Sequence, residues 1–202
     1  MKKALKILGI VLLVGLILLP GIQFLLISVW LNYAVTHNYT DIVWNVDGYD
    51  YLIREKNKKA GVCRYTYDPE AGDNVIVIPE SFEDYPIQSL GGYIGRGGPC
   101  PFVIELEGVH ASSGEGDSYG SYAAYAQGKG LHVVYEDVVL NIGPNIREIF
   151  AYQDGMRAGK TLYVVRVYVN CDPDNPKFYS RDGVLYRKNG EVVDGFIYWN
   201  QD

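Results

Sequence analysis

VIVIPESFEDYPIQSLG, residues 75–91, decides how the chain folds. Its first four residues are β-branched, and branched side chains fit a pleated, half-buried surface better than a helix. Pro79 stops the run, because proline has no N–H to donate to a ladder. Polar residues and Asp84-Tyr85-Pro86 follow, then a second short apolar piece at Ile87 and Leu90, then a glycine pair. A short apolar strand followed at once by a proline corner suits one coil of a stack. In such a stack the strand lies in a parallel sheet and is buried on its inner face.

The same plan recurs further along. Residues 138–149, VVLNIGPNIREI, again run apolar strand, proline corner, second apolar piece. Residues 162–169, LYVVRVYV, are the third such strand, followed by the turn-rich CDPDNP of residues 171–176. Around these units the pattern stays β. Tyr49, Tyr51 and Ile53 alternate with Asp50, Leu52 and Arg54, residues 55–59 make a charged turn, and Val62, Arg64, Tyr65 and Tyr67 read as the returning strand of a hairpin. FVIELE (residues 102–107) and LHVVYEDVVL (residues 131–140) are strand-like, and FIYW (residues 196–199) is a last aromatic strand. Residues 183–193 carry Asn189-Gly190 between apolar flanks, the strongest short-range hairpin signal. Gly- and Pro-rich residues 91–101 read as a loop: a phosphate-binding glycine loop has to open a helix, and here Pro99 and Pro101 follow instead.

Residues 108–130 break the pattern with a Gly/Ser/Tyr-rich insert, GVHASSGEGDSYGSYAAYAQGKG. Tyr119, Tyr122 and Tyr125 fall three apart, which places them on one face of a short helix. A tyrosine cluster combines a rigid ring with a polar tip, so these three are the candidate partner-binding residues. The competing reading is that they cover the domain or belong to a disordered loop.

These motifs resemble the BspA-type leucine-rich repeat of bacterial surface proteins. Ile78-Pro79, Asp84-Tyr85-Pro86-Ile87 and Ser89-Leu90-Gly91 follow that repeat, residues 142–149 resemble a second unit, and NPKFYSRDGVLY (residues 175–186) resembles the family's recurrent N-P-x-F-x-S-x-D-G-V-L-Y unit. The Ala-Phe pair usual after the repeat's glycine is replaced here by Gly92-Tyr93-Ile94-Gly95. The resemblance implies a short leucine-rich-repeat, β-solenoid-like domain closed by flanking hairpins. It also implies display at the cell surface, binding to a protein or glycan ligand, and no catalysis.

Ahead of this domain, residues 7–31 are apolar and uncharged. About 20 such residues cross a hydrocarbon core. Lys2, Lys3 and Lys6 precede the run and no Lys or Arg follows until Arg54, so the positive flank predicts a cytoplasmic N-terminus. Residues 1–6 are then a cytoplasmic flank, 7–31 a transmembrane signal anchor, 32–47 a juxtamembrane linker and 48–202 an extracytoplasmic β-rich domain. A cleaved signal peptide would have a shorter apolar core and a small-residue cleavage site. Pro20-Gly21 allows a kink, and Gln23 could bond across to a partner helix, which is the reading of an accessory membrane subunit.

The net charge of −6 argues against nucleic acid as a partner. Cys63, Cys100 and Cys171 allow at most one internal disulfide and are equally well read as buried small hydrophobes. The three histidines are scattered, and no cofactor or metal motif is present in the sequence. Asp172, Asp174, Asn175 and Asp182 gather oxygen ligands but lack the spacing of a calcium loop. An envelope-acting hydrolase is the alternative function. Glu105 and Glu107, two apart on a strand, would supply its carboxylates, whereas His110, Ser112 and Ser113 form no nucleophile elbow.

Overall fold

The computed structural model describes residues 41–93, 99–109, 122–153 and 155–199. The apolar run 7–31 and its flanks lie outside the described residues, and among those described no helix is long and apolar enough to cross a membrane. The architecture is mainly β with no closed barrel.

The domain opens with an antiparallel meander of β1 (Asp41–Val46), β2 (Tyr49–Arg54) and β3 (Lys59–Tyr67). Asp47 and Gly48 both take positive φ, the two-residue turn whose twist matches that of the strands it joins. So the first strand begins inside the stretch read from sequence as a linker. It went unseen because β1 is an edge strand, half-exposed or exposed at every position, and has no buried face to generate an alternating pattern.

Next come β4 (Val75–Val77), β5 (Ser81–Phe82), β6 (Tyr85–Leu90), β7 (Gly92–Tyr93), β8 (Pro99–Cys100) and β9 (Val103–Leu106). A single helix α1 (Tyr122–Lys129) precedes β10 (His132–Ile142), β11 (Glu148–Ile149), β12 (Met156–Ala158), β13 (Thr161–Cys171), β14 (Phe178–Arg181) and β15 (Val184–Arg187). The three β-branched runs picked out in the sequence lie side by side. β4, β10 and β13 are parallel and in register, Ile76 beside Leu140 beside Val169. Facing them, Val62 of β3, Leu90 of β6 and Ile149 of β11 make a second parallel row. All six side chains belong to one buried core between the two sheets. Alternation sends Val75 and Val77 outward, 40% and 57% exposed, while Ile76 and Ile78 face in.

The corners work as the proline positions predict. Ile78 N–H makes the last ladder bond of β4, to Asn141 O at 3.1 Å, and Pro79 then ends the strand. The corner after β13 is pinned by Asn175, whose side chain is 1% exposed. Its amide donates to Gly143 O (2.9 Å) and Ile146 O (3.1 Å), and its oxygen accepts from the Lys177 and Phe178 N–H groups at 2.9 Å each. A buried amide with every capacity filled ties this corner to the one before it. This also removes Asn175 from the oxygen cluster whose spacing already departs from a calcium loop. Asp172, from the same cluster, accepts the Asp174 N–H at 2.8 Å, and the described residues hold no group of three metal-ligating side chains.

Two hairpins follow β13. Residues 185–193 turn at Asn189-Gly190 as expected, with Arg187 N–H bonded to Glu191 O and Val193 N–H to Leu185 O. A second hairpin, β14–β15, turns at Asp182-Gly183, again with both φ positive. The aromatic tail does not form a strand of its own. Tyr198 makes a single bridge to Val167, and Val167 and Trp199 exchange backbone bonds with their partners along the outer edge of β13.

Candidate functional site

The outer face of the β4–β10–β13 sheet sets side chains of three parallel, in-register strands in rows. Its rows follow from the register. Val133 and Tyr135 stand beside Leu162 and Val164, Asp137 beside Arg166, Val139 between Val75 and Tyr168, and Asn141 between Val77 and Asn170.

The first rows are covered. Helix α1 packs Ala126, 1% exposed, against Leu162 and Val164, with Tyr122 and Tyr125 half-buried around them. The sequence placed these tyrosines on one helical face, and that face turns partly toward the sheet. A Cβ added at Gly155 would lie 3.2 Å from the Tyr122 ring, which shows how closely the ring sits on the strand below. Tyr119 lies outside the described residues, as do His110, Ser112 and Ser113.

Beyond the helix the rows change character. Arg166 lies over the Tyr135 ring, 4.5 Å from its centroid, and bonds both oxygens of Asp137, Nε–Oδ1 2.7 Å and Nη2–Oδ2 2.9 Å. A two-point guanidinium–carboxylate pair fixes both side chains in one geometry. Trp199 adds its ring beside Tyr168, centroids 5.3 Å apart, and its indole N–H donates to Arg166 O at 3.0 Å. At the far end Asn170 donates to Asn141 Oδ1 at 3.1 Å, an amide step of the ladder beside the exposed Val77. There the strand ends and corners enclose a shallow cleft of about 300 Å³ lined by Val77, Glu80, Asn141, Pro144, Asn170 and Asp172 among others. The face therefore offers oriented rings, a fixed ion pair and an amide ladder in one strip. Sequence reasoning named none of Tyr135, Asp137, Arg166, Tyr168 or Trp199 as site residues. Their outward alternation was readable, but which strand stood beside which was not.

The opposite sheet carries a second polar cluster. Asp50, 3% exposed, accepts the Asn45 N–H at 2.7 Å and Arg64 Nε at 2.6 Å, and also pairs with Arg64 Nη2. Arg64 reaches on to Glu105 at 3.1 Å and lies over the exposed Trp44 ring. Thus Glu105, one of the carboxylates considered for catalysis, is engaged by a guanidinium, while Glu107 is exposed. A buried carboxylate with a two-point cation partner is what burial of a charge demands.

No family model, no curated protein and no solved structure matches the chain.

Proposed function

We propose that the chain is a membrane-anchored, extracytoplasmic binding module, non-catalytic, whose ligand is a protein or a glycan. The observation that carries this reading is the open half of the sheet face, where in-register strands present Tyr135, Arg166, Tyr168, Asn141 and Asn170 as successive rows, with Trp199 beside Tyr168. Rings and amides held by neighbours lose little freedom on binding, and they suit both peptide and sugar surfaces. The half-buried Tyr122 and Tyr125 form the rim of that strip. Three in-register parallel strands, proline corners and terminal hairpins fit a short leucine-rich-repeat, solenoid-like domain. The likeness to BspA-type repeats points to the same role at the cell surface. The apolar residues 7–31 behind Lys2, Lys3 and Lys6 supply the anchor and set the domain outside.

Two measurements test the proposal. Protease added to intact cells should remove the domain, with the first cuts within residues 108–130; protection until lysis would reverse the topology and end the surface reading. Full-length protein, screened on arrays of glycans and matrix proteins, should then capture a ligand that Asn170→Arg or Val77→Arg weakens at least about 10-fold, which is about 1.4 kcal/mol. Both side chains are exposed, so neither change disturbs the core. A captured ligand indifferent to both would move the site off this face.

A further inference from the structure

Two of the three cysteines are brought together by a local irregularity of β3. Tyr51 pairs with Val62 and Asp50 with Arg64, so Cys63 is the extra residue of a bulge, with no partner across the ladder. Bulges re-aim side chains. This one leaves Cys63 buried outside the main core, its Sγ 3.6 Å from Asp50 O. Over the same face lies the β7–β8 hairpin, in which Gly92 pairs with Cys100. The hairpin is held tightly: Gly91 N–H donates to Val62 O at 2.6 Å, a Cβ on Gly91 would lie 2.8 Å from Cys100 O, and one on Gly92 would lie 2.9 Å from Leu52 Cδ1. These anchors carry Cys100 onto the segment that holds Cys63, near enough for each thiol to shift the titration of the other.

We propose that Cys63 and Cys100 form a disulfide by exchange with a small-molecule or protein disulfide, stapling the β7–β8 hairpin to β3 and leaving Cys171 free. The Cys100 thiolate attacks one sulfur of the oxidant, expels one thiolate and forms a mixed disulfide. Cys63 releases its proton to solvent and attacks Cys100 Sγ, expelling the second thiolate. The protein loses two electrons and two protons, and the oxidant leaves as two thiols. The environment assigns the roles. The neighbouring Cys63 thiol and the nearby Arg64 charge bring the Cys100 thiol down to about 7 against the effect of burial, while Cys63 is pushed up by its Cys100 neighbour and by burial. Cys100 is therefore the attacking thiol and Cys63 the resolving one. Cys171 is pushed up to about 11, chiefly by burial, and its backbone N–H is bonded to Ser180 Oγ on the other sheet. The staple is independent of what the opposite face binds.

The test uses the full-length chain in detergent, equilibrated in reduced/oxidised glutathione mixtures, quenched in acid, alkylated, digested and read by mass spectrometry. The expected product is a peptide pair joining Cys63 to Cys100 with Cys171 alkylated. Closing a loop of roughly 37 residues should raise the oxidised protein's Tm by about 10 °C over the reduced form. That difference should vanish in the Cys63→Ser/Cys100→Ser double variant and persist in Cys171→Ser. In the reduced protein, Cys100 should alkylate before Cys171 at pH 7.5, with its rate falling steeply below pH 7. A bond involving Cys171, glutathione left on Cys100, or three free thiols in oxidised glutathione would each overturn the proposal. The wild-type peptide map decides the matter even if the serine variants fail to fold.

Discussion

Replacing Asn175 by Leu should lower stability by about 4 kcal/mol, most of what a marginally stable domain has to spare. The branched heavy-atom shape is kept, but four backbone groups lose their partners. The carbonyls of Gly143 and Ile146 and the N–H groups of Lys177 and Phe178 would stay buried with nothing to bond. Each such group costs about 1–3 kcal/mol, moderated by relaxation of the corner. For a domain of this size the expected fall in Tm is about 12 °C, measurable by thermal unfolding. Asn175→Asp separates the donors from the acceptors. The carboxylate could still accept from Lys177 and Phe178, but it would meet two carbonyls where the amide donated. Burial and those carbonyls raise its folded pKa above the unfolded value. A raised folded pKa means stability is fully present below the unfolded pKa and is lost as pH rises through the folded one. Asn175→Asp should therefore unfold more readily at pH 8 than at pH 4 relative to wild type. A variant with no such pH trend would show that the corner relaxes to admit solvent.

Gly91→Ala should lower stability by about 3 kcal/mol. Gly91 has φ of +72°, and a Cβ there would lie 2.4 Å from Phe150 O and 2.8 Å from both Cys100 O and Phe102 N. These are backbone atoms of the segments that meet at the end of β6, so they have no side chain to swing aside. Gly108 isolates the conformational part of the cost: its φ is +75°, and among the described residues nothing lies within 4 Å of its would-be Cβ. Gly108→Ala should cost only about 1–2 kcal/mol, the ordinary penalty for an alanine with left-handed backbone. Chemical denaturation of the two variants side by side measures the difference. Equal losses would mean that the crossing at Gly91 has slack.

The sheet order explains which parts of this fold were readable. Residues 75–78, 138–142 and 162–169 carry their burial in their own side chains, so a strand with one buried face could be read locally. Asn189-Gly190 carried its turn in the same way. What needed neighbours was not readable. Asp182-Gly183 was taken as part of a repeat unit, although that dipeptide is itself a hairpin signal. Asn175 resembled a surface oxygen ligand because its inward orientation depends on the corner before it. Asp137 and Arg166 are 29 residues apart and meet only once β10 and β13 are set in register. The tyrosine spacing allowed helix α1 as one of two readings of the insert, but its docking on Leu162 and Val164 was not readable, since nothing in the insert names the surface it lies on. The bulge at Cys63 left no mark in the sequence at all.

The outer edge of β13 bears on how such a chain could change length over evolution. That edge is met at three places by separate pieces of the chain. Met156–Ala158 covers its start, Val167 exchanges bonds with Ile197 and Trp199, and Val169 N–H donates to Gly183 O. A strand added along this edge after β13 would have to evict all three. A unit copied between β10 and β13 would inherit in-register neighbours on both sides. Growth of this protein by gene duplication is therefore open in its interior and closed at its C-terminal end.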